Sequence, residues 1–302
     1  MKLRNSLLLF LTATIWGFAF VAQRVGMDYV GPLTFLFARS LIGGIVLLPA
    51  VAVLHRSGPG HAGETPADRC RARKTLLLGG ICCGTVLCVS DLAQQVGLLY
   101  TTVGKSGFLT ACYILIVPLI NLLFFHRRCR RLVWGGIALA IVGMYFLCMT
   151  DGLTINFGDA ISLVSALLFS VHILVIDYFS PRTDGVKMSC VQFFVCAAIA
   201  AVGMLLFEQP SLGALLAAWK PVLYAGALSS GVGYTLQIVG QKGMNPTVAS
   251  LIMSLESVIS VIAGWLILGQ SLSGREIFGC VLMFAAIVLA QLPNAPKENA
   301  VN

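Results

Sequence analysis

The residues able to do chemistry in this chain are few, and nearly all of them sit inside apolar runs. Glu256 lies near the middle of Pro246–Leu268, a run of Val, Ile, Leu, Ala, Met and Ser. At ~1.5 Å per residue such a run crosses a hydrocarbon core of ~30 Å, which puts the carboxylate close to the bilayer midplane. A charge there costs at least ~2.5 kcal/mol, so the acid is expected to face other helices or a wet cavity. It then serves either as a hydrogen-bonding packing group or as part of a substrate or proton path. Positions 249, 253, 256, 260 and 263 share a helical face and read Ala, Met, Glu, Ser, Ala, small and partly polar.

Arg39 lies a turn or two inside a second run. It either snorkels outward or pairs with Asp91 or Glu256, and its planar fork suits a carboxylate. Polar stripes at helical spacing recur elsewhere: Ser230, Tyr234, Gln237 and Gln241; Cys88, Asp91 and Gln95; Thr12, Trp16, Phe20 and Gln23; Ser162, Ser165, Phe169 and His172. One such stripe reads as helix–helix hydrogen bonding. Stripes on several helices favour a shared polar cavity, because lipid would penalise each of them. The candidate substrate contacts are Trp16, Arg39, Asp91, Gln95 and Tyr113 from the first half of the chain. His172, Gln192, Tyr234 and Gln237 join them from the second. Glu256 is the candidate proton-coupling residue, and His172 could relay protons near neutral pH. Trp16, Phe20, Tyr113, Phe169 and Tyr234 could wall the cavity with aromatic rings.

Other chemistries lack their motifs. There is no Walker A glycine loop, no His-Glu-x-x-His and no Gly-x-Ser-x-Gly. His55 and His61 have no companions at ligand spacing. No Cys-x-x-Cys pair exists among the 10 cysteines, most of which lie in apolar runs as small hydrophobes. No metal and no cofactor are expected.

The elements that must position these residues follow from composition. The chain has 302 residues, 58% hydrophobic and 11% charged, with a mean hydropathy of +0.91. A soluble chain would carry about a quarter charged residues. The runs are long and continuous rather than short and alternating, so the class is an all-α integral membrane protein and not a barrel. Ten transmembrane helices are expected, at about 5–23, 33–54, 75–99, 106–125, 132–149, 159–179, 188–207, 215–240, 247–268 and 275–292. Lys2 and Arg4 before an apolar run resemble a signal peptide, but the run continues to Ala22 and reads as the first span.

Ten spans put both termini on one side, and the positive residues choose which. With the N-terminus inside, 15 Lys and Arg fall in inner segments against 4 in outer ones, so both termini are expected to be cytoplasmic. The formal charge of +8 therefore reads as membrane orientation and not as nucleic-acid binding. His55–Lys74 reads as a solvated cytoplasmic linker within the first half.

The halves also resemble each other. Phe108–Pro118 matches Thr247–Ser257 in length and texture, and Trp134-Gly-Gly matches Phe278-Gly-Cys further on. At another offset, Arg39 falls opposite Gln192 when Trp16 is set opposite Phe169. Five spans per half is an odd number, which forces the second half to insert upside down: two five-helix inverted repeats, as in secondary transporters.

Trp16-Gly17, Pro32 with Arg39, Gly104–Thr110 before Pro118, and Ser254-Leu-Glu-Ser257 followed by Gly264 and Leu268-Gly269-Gln270 together resemble the EamA-type family of the drug/metabolite transporter superfamily. The resemblance runs from about residue 6 to 292. It implies a repeat over 1–150, a second over 151–293, a cytoplasmic tail at 294–302, and a central cavity with the fifth and tenth helices as outer supports. Members commonly export amino acids or other small metabolites. The family often has Pro after the Glu of the ninth helix and Glu after the final Leu-Gly. Ser257 and Gln270 stand there instead, so a proline kink in the ninth helix is not implied.

The expected function is secondary transport of a small polar metabolite, an amino acid or related carboxylate, outward across the plasma (inner) membrane by alternating access. The competing readings are an intramembrane enzyme with Glu256, Asp91 and His172 as acid–base groups, and a flippase for a lipid-linked sugar. The expected partners are the substrate and the bilayer, with a homodimer left open.

Overall fold

Apolar runs wind into helices in a bilayer because every backbone N–H and C=O there must find its partner within the chain. The computed structural model describes residues 2–57, 65–101, 103–126, 131–148, 157–269 and 273–291. In chain order the helices are α1 (Lys2–Gly26), α2 (Pro32–Ser57), α3 (Pro66–Tyr100), α4 (Val103–Ala111), α5 (Tyr113–Phe124), α6 (Arg131–Cys148) and α7 (Phe157–Phe179). They continue as α8 (Gly185–Phe207), α9 (Leu212–Ala217) and α10 (Trp219–Leu223). A π-helical stretch (Tyr224–Tyr234) then runs directly into α11 (Thr235–Gln241), and α12 (Pro246–Met253), α13 (Leu255–Leu268) and α14 (Gly274–Gln291) close the order. Among the described residues, eight helical stretches are long and apolar enough to cross a membrane, and two shorter apolar ones lie at Arg131–Gly143 and Ile277–Ala286. The protein is a multi-pass membrane bundle of helices.

α1 packs against α13, α11 and the π-helical stretch, α3 against α7, α2 against α8, and α6 against α14. The apolar side chains these contacts do not cover, such as Leu205, Leu206 and Val288, face outward. That is the expected distribution where the surrounding solvent is lipid.

Three expectations about the elements are corrected. The His55–Lys74 linker is helical at both ends: α2 continues to Ser57 and α3 begins at Pro66, while 58–64, including His61, lie outside the described residues. The physical reason is a capping box. The Thr65 hydroxyl accepts from the Asp68 backbone N–H, the Asp68 carboxylate accepts from the Thr65 N–H, and Pro66 fills the first helical position. Exposed Arg69, Arg71 and Arg73 then ride on the first turns of α3.

The second concerns winding within the two spans expected at 106–125 and 247–268: both are present as apolar helical stretches, Ser106–Phe124 and Pro246–Ile267, but each is interrupted at a single residue. The break falls at Cys112 in one and at Ser254 in the other, and neither site is a proline. Tight backbone bonds mark them, Leu115 N–H to Cys112 O at 3.0 Å and Ser257 N–H to Ser254 O at 3.2 Å. Around the second break, Ser250, Ser254, Ser257 and Ser260 each donate a hydroxyl to the carbonyl three residues back, at 2.7–2.9 Å. Such back-bonding competes with the helical ladder and bends it. Pro118, by contrast, lies inside α5.

The third is the span expected at 215–240, which is composite. Wide π winding over Tyr224–Tyr234 separates α10 from α11, so the even α spacing assumed for Ser230, Tyr234, Gln237 and Gln241 does not hold through it. All four side chains are nonetheless buried. Outside the spans, Glu208 just beyond α8 caps the start of α2: its carboxylate accepts from the Leu33 and Thr34 N–H groups at 2.8 Å each and from the Thr34 hydroxyl at 2.6 Å. A negative charge is favoured at that helix end.

Candidate functional site: a polar cavity between broken helices

The site is assembled by close approach. A Cβ on Gly17 would stand 2.5 Å from the Ile259 side chain and 3.0 Å from the Glu256 carbonyl, so the bare glycine lets α1 lie against α13. At Gly43 a Cβ would come within 2.7 Å of Ser230, which brings α2 against the π-helical stretch. Between these elements lies a narrow cavity of about 20 Å³, room for about one water. Trp16, Phe20 and Gln23 of α1, Arg39 of α2, and Gln94 of α3 line it. Thr110 and Tyr113 contribute from the broken fourth span, and Phe169, Ser229, Tyr234 and Glu256 from the second half.

Arg39 is 1% exposed, which replaces the snorkelling alternative with an interior guanidinium. Its Nε donates to the Ser230 hydroxyl at 3.2 Å and its Nη2 to the Ser229 hydroxyl at 3.5 Å. Nη2 stands 3.7 Å from Asp91 Oδ2, an ion pair too long to be a hydrogen bond. Of the two acids weighed as its partner, Asp91 is the one it meets. The other Asp91 oxygen accepts from the Tyr234 hydroxyl at 2.9 Å. Tyr234 leans on Trp16 with ring centroids 4.6 Å apart, and the Trp16 indole N–H donates to the Ser229 carbonyl at 3.4 Å.

Glu256 has a different partner. Its Oε1 accepts from the Tyr113 hydroxyl at 3.0 Å. Both residues begin the helix that follows a break, Tyr113 opening α5 and Glu256 in the first turn of α13. The two interrupted spans thus present their acid and phenol to each other at the cavity wall.

Of the residues the sequence singles out, Trp16, Arg39, Tyr113, Tyr234 and Glu256 line the cavity, with Asp91 behind Arg39. Gln95 does not: it is fully buried and donates to the Pro32 carbonyl at 3.3 Å. His172 and Gln192 form a separate buried pair, 3.3 Å apart, with the Tyr234 ring edge-on to His172 at 5.9 Å. Gln237 is buried with its Oε1 unpartnered in the protein. Gln94, Thr110 and Ser229 are additions that the sequence does not single out. Gln94 stands next to Gln95 and donates to Thr110 at 3.4 Å; choosing between adjacent glutamines requires the helix rotation, which spacing alone does not supply. Gln23 is visible in the α1 stripe.

Two groups at the cavity wall are buried with hydrogen-bonding capacity unused, Arg39 Nη1 and Gln23 Oε1. Buried polar atoms are normally paired, and a donor and an acceptor left open on one wall are what a polar solute or water would fill. Among the described residues no group of His, Cys, Asp and Glu could hold a metal ion.

Comparison with known proteins gives the same picture. The chain is 26% identical over 295 residues to an uncharacterized transporter of Archaeoglobus fulgidus, covering 96% of this chain and 87% of that one. It is 21% identical over 281 residues to the uncharacterized transporter YoaV of Bacillus subtilis, covering 91% and 92%. A crystal structure of a protein 18% identical shares the fold with a TM-score of 0.76, over 96% of this chain and 97% of the other. The EamA-like transporter family matches residues 4–149 and again 156–292. With a membrane bundle around a buried polar cavity, and both halves matched, this chain belongs to the EamA-like transporter family, whose work is transport rather than enzymatic conversion.

Proposed function

We propose that the protein is a secondary transporter that exports a small polar metabolite, an amino acid or related carboxylate, across the plasma membrane. The observation that carries this reading is Arg39: a fully buried guanidinium on a cavity wall, held by Ser229, Ser230 and Asp91, with Nη1 still unpartnered. A guanidinium offered in this way suits a carboxylate, and the aromatic rings of Trp16, Phe20 and Phe169 suit an apolar remainder. Glu256, on the cavity wall, is the coupling residue, taking a proton on one side and releasing it on the other.

The architecture in this reading is ten helices in two five-helix inverted repeats, divided near residue 150, with both termini cytoplasmic. The double family match supports it. So do the two acid–phenol bonds: Asp91 to Tyr234 and Tyr113 to Glu256 span the same 143 residues. At that one offset each bond joins corresponding positions of the two halves, as contacts beside a two-fold axis do. Alternating access would rock the halves about this point. A homodimer remains part of the proposal, to be read from the mass of the purified protein in detergent.

The enzyme alternative needed Glu256, Asp91 and His172 as one acid–base set. They bond instead to Tyr113, Tyr234 and Gln192 respectively. The test is purified protein in sealed vesicles, with a panel of amino acids and carboxylates. Counterflow of an unmodified solute is expected. Chemical conversion of solutes in detergent, or no exchange across the whole panel, would overturn the reading.

A further inference from the structure

A second, larger open space lies away from the central cavity, between α5 and α7 at the end of the bundle where both helices terminate. It measures about 960 Å³, and its wall is mostly apolar, with Ile120, Phe124, Leu174 and Val175 among the lining residues. Two features separate it from a plain seam between helices. Asn121 lies on this wall, 2% exposed, and its Oδ1 has no hydrogen-bond partner in the protein. At the mouth stands an exposed arginine, Arg182, whose guanidinium lies 4.0 Å over the Tyr178 ring and donates to the Tyr178 carbonyl. Asp177 shares the wall.

We propose that this groove binds an anionic glycerophospholipid of the adjoining leaflet, of the phosphatidylglycerol type. The acyl chain lies between Ile120 and Leu174, Arg182 takes the phosphate, and a headgroup hydroxyl donates to Asn121 Oδ1. The apolar wall needs a chain and the Arg182 guanidinium takes an anion. The buried acceptor needs a donor, which a hydroxylated headgroup has and a choline headgroup lacks. Basic side chains at a membrane surface attract anionic lipid, and a cleft between helices adds shape to that attraction. This lipid site is independent of what the central cavity carries.

The test is native mass spectrometry of the full chain, titrated separately with phosphatidylglycerol, phosphatidylethanolamine and phosphatidylcholine of matched acyl chains. Tighter retention of phosphatidylglycerol is expected. Arg182→Gln should weaken that binding about fivefold, the effect of one surface charge, and weaken phosphatidylcholine less, because choline's charge offsets its phosphate. Val175→Trp should fill the groove and displace bound lipid at an unchanged melting temperature. If that variant does not fold, Leu174→Phe and the Arg182 arm decide. Equal retention of the three lipids would mean ordinary solvating lipid and overturn the proposal. So would phosphatidylglycerol binding that survives both the charge removal and the filled groove.

Discussion

The Tyr113 hydroxyl donates to the Glu256 carboxylate across 3.0 Å, joining the first residue after one helix break to the first turn after the other. Each is fully or almost fully buried. The bond therefore ties the two interrupted spans and partners a carboxylate whose burial would otherwise be costly.

Removing the phenol hydroxyl should expose that cost. Tyr113→Phe is expected to destabilise the protein by about 1–3 kcal/mol, the penalty of a buried acceptor that loses its donor. Thermal unfolding in detergent measures it. A variant as stable as the parent would show that water or another group satisfies Glu256.

Glu256→Gln keeps size and hydrogen-bonding capacity but removes titration. Under the proposed coupling role, the variant folds and exchanges substrate yet no longer accumulates it against an imposed pH step in vesicles. Accumulation that persists would move the role to Asp91 or His172, and failure to insert would make Glu256 structural.

Arg39 should separate recognition from architecture. Arg39→Lys keeps the charge and loses the fork that reaches both Ser229 and Ser230, so substrate affinity is expected to fall. Arg39→Met leaves Asp91 buried beside an apolar chain and should cost about 3–5 kcal/mol; a second change, Asp91→Asn, should restore much of it. In the parent protein, equal affinity for a carboxylate and its amide analogue would argue against substrate contact.

Close packing at α1 has its own consequence. Gly17→Ala puts a methyl against Ile259 and should destabilise by about 1–3 kcal/mol through overpacking. An unchanged melting temperature would mean that α1 and α13 separate easily.

Topology is testable without the substrate. Reporter tags at residue 62 and at the C-terminus should face the cytoplasm, and one at residue 154 should lie outside. Ends of the chain on opposite sides would remove the ten-span reading and the inverted repeat with it.

The membrane class was fully legible, because long apolar runs leave no other helical solution. Arg39 and Glu256 were legible for a related reason: charge inside such a run needs an account. What the sequence did not make plain was winding. The break at Ser254 had a signal, four serines at 250, 254, 257 and 260, but it reads as polarity before it reads as a broken ladder. The π-helical stretch had only its small residues, Gly226, Gly231 and Gly233 among them. Gln95 shows the remaining limit. One position along α3 is a rotation of about 100°, enough to turn the cavity side chain into Gln94 and leave Gln95 against α2.

Glu208 holds the two backbone N–H groups at the start of α2 from the far end of α8, while α2 and α8 also pack along their lengths. These helices lie in different matched segments of the chain. Motion of one segment against the other is expected to pivot about that tether or break it. The clamp fixes a fulcrum, so displacement will be smallest beside Glu208 and grow with distance from it.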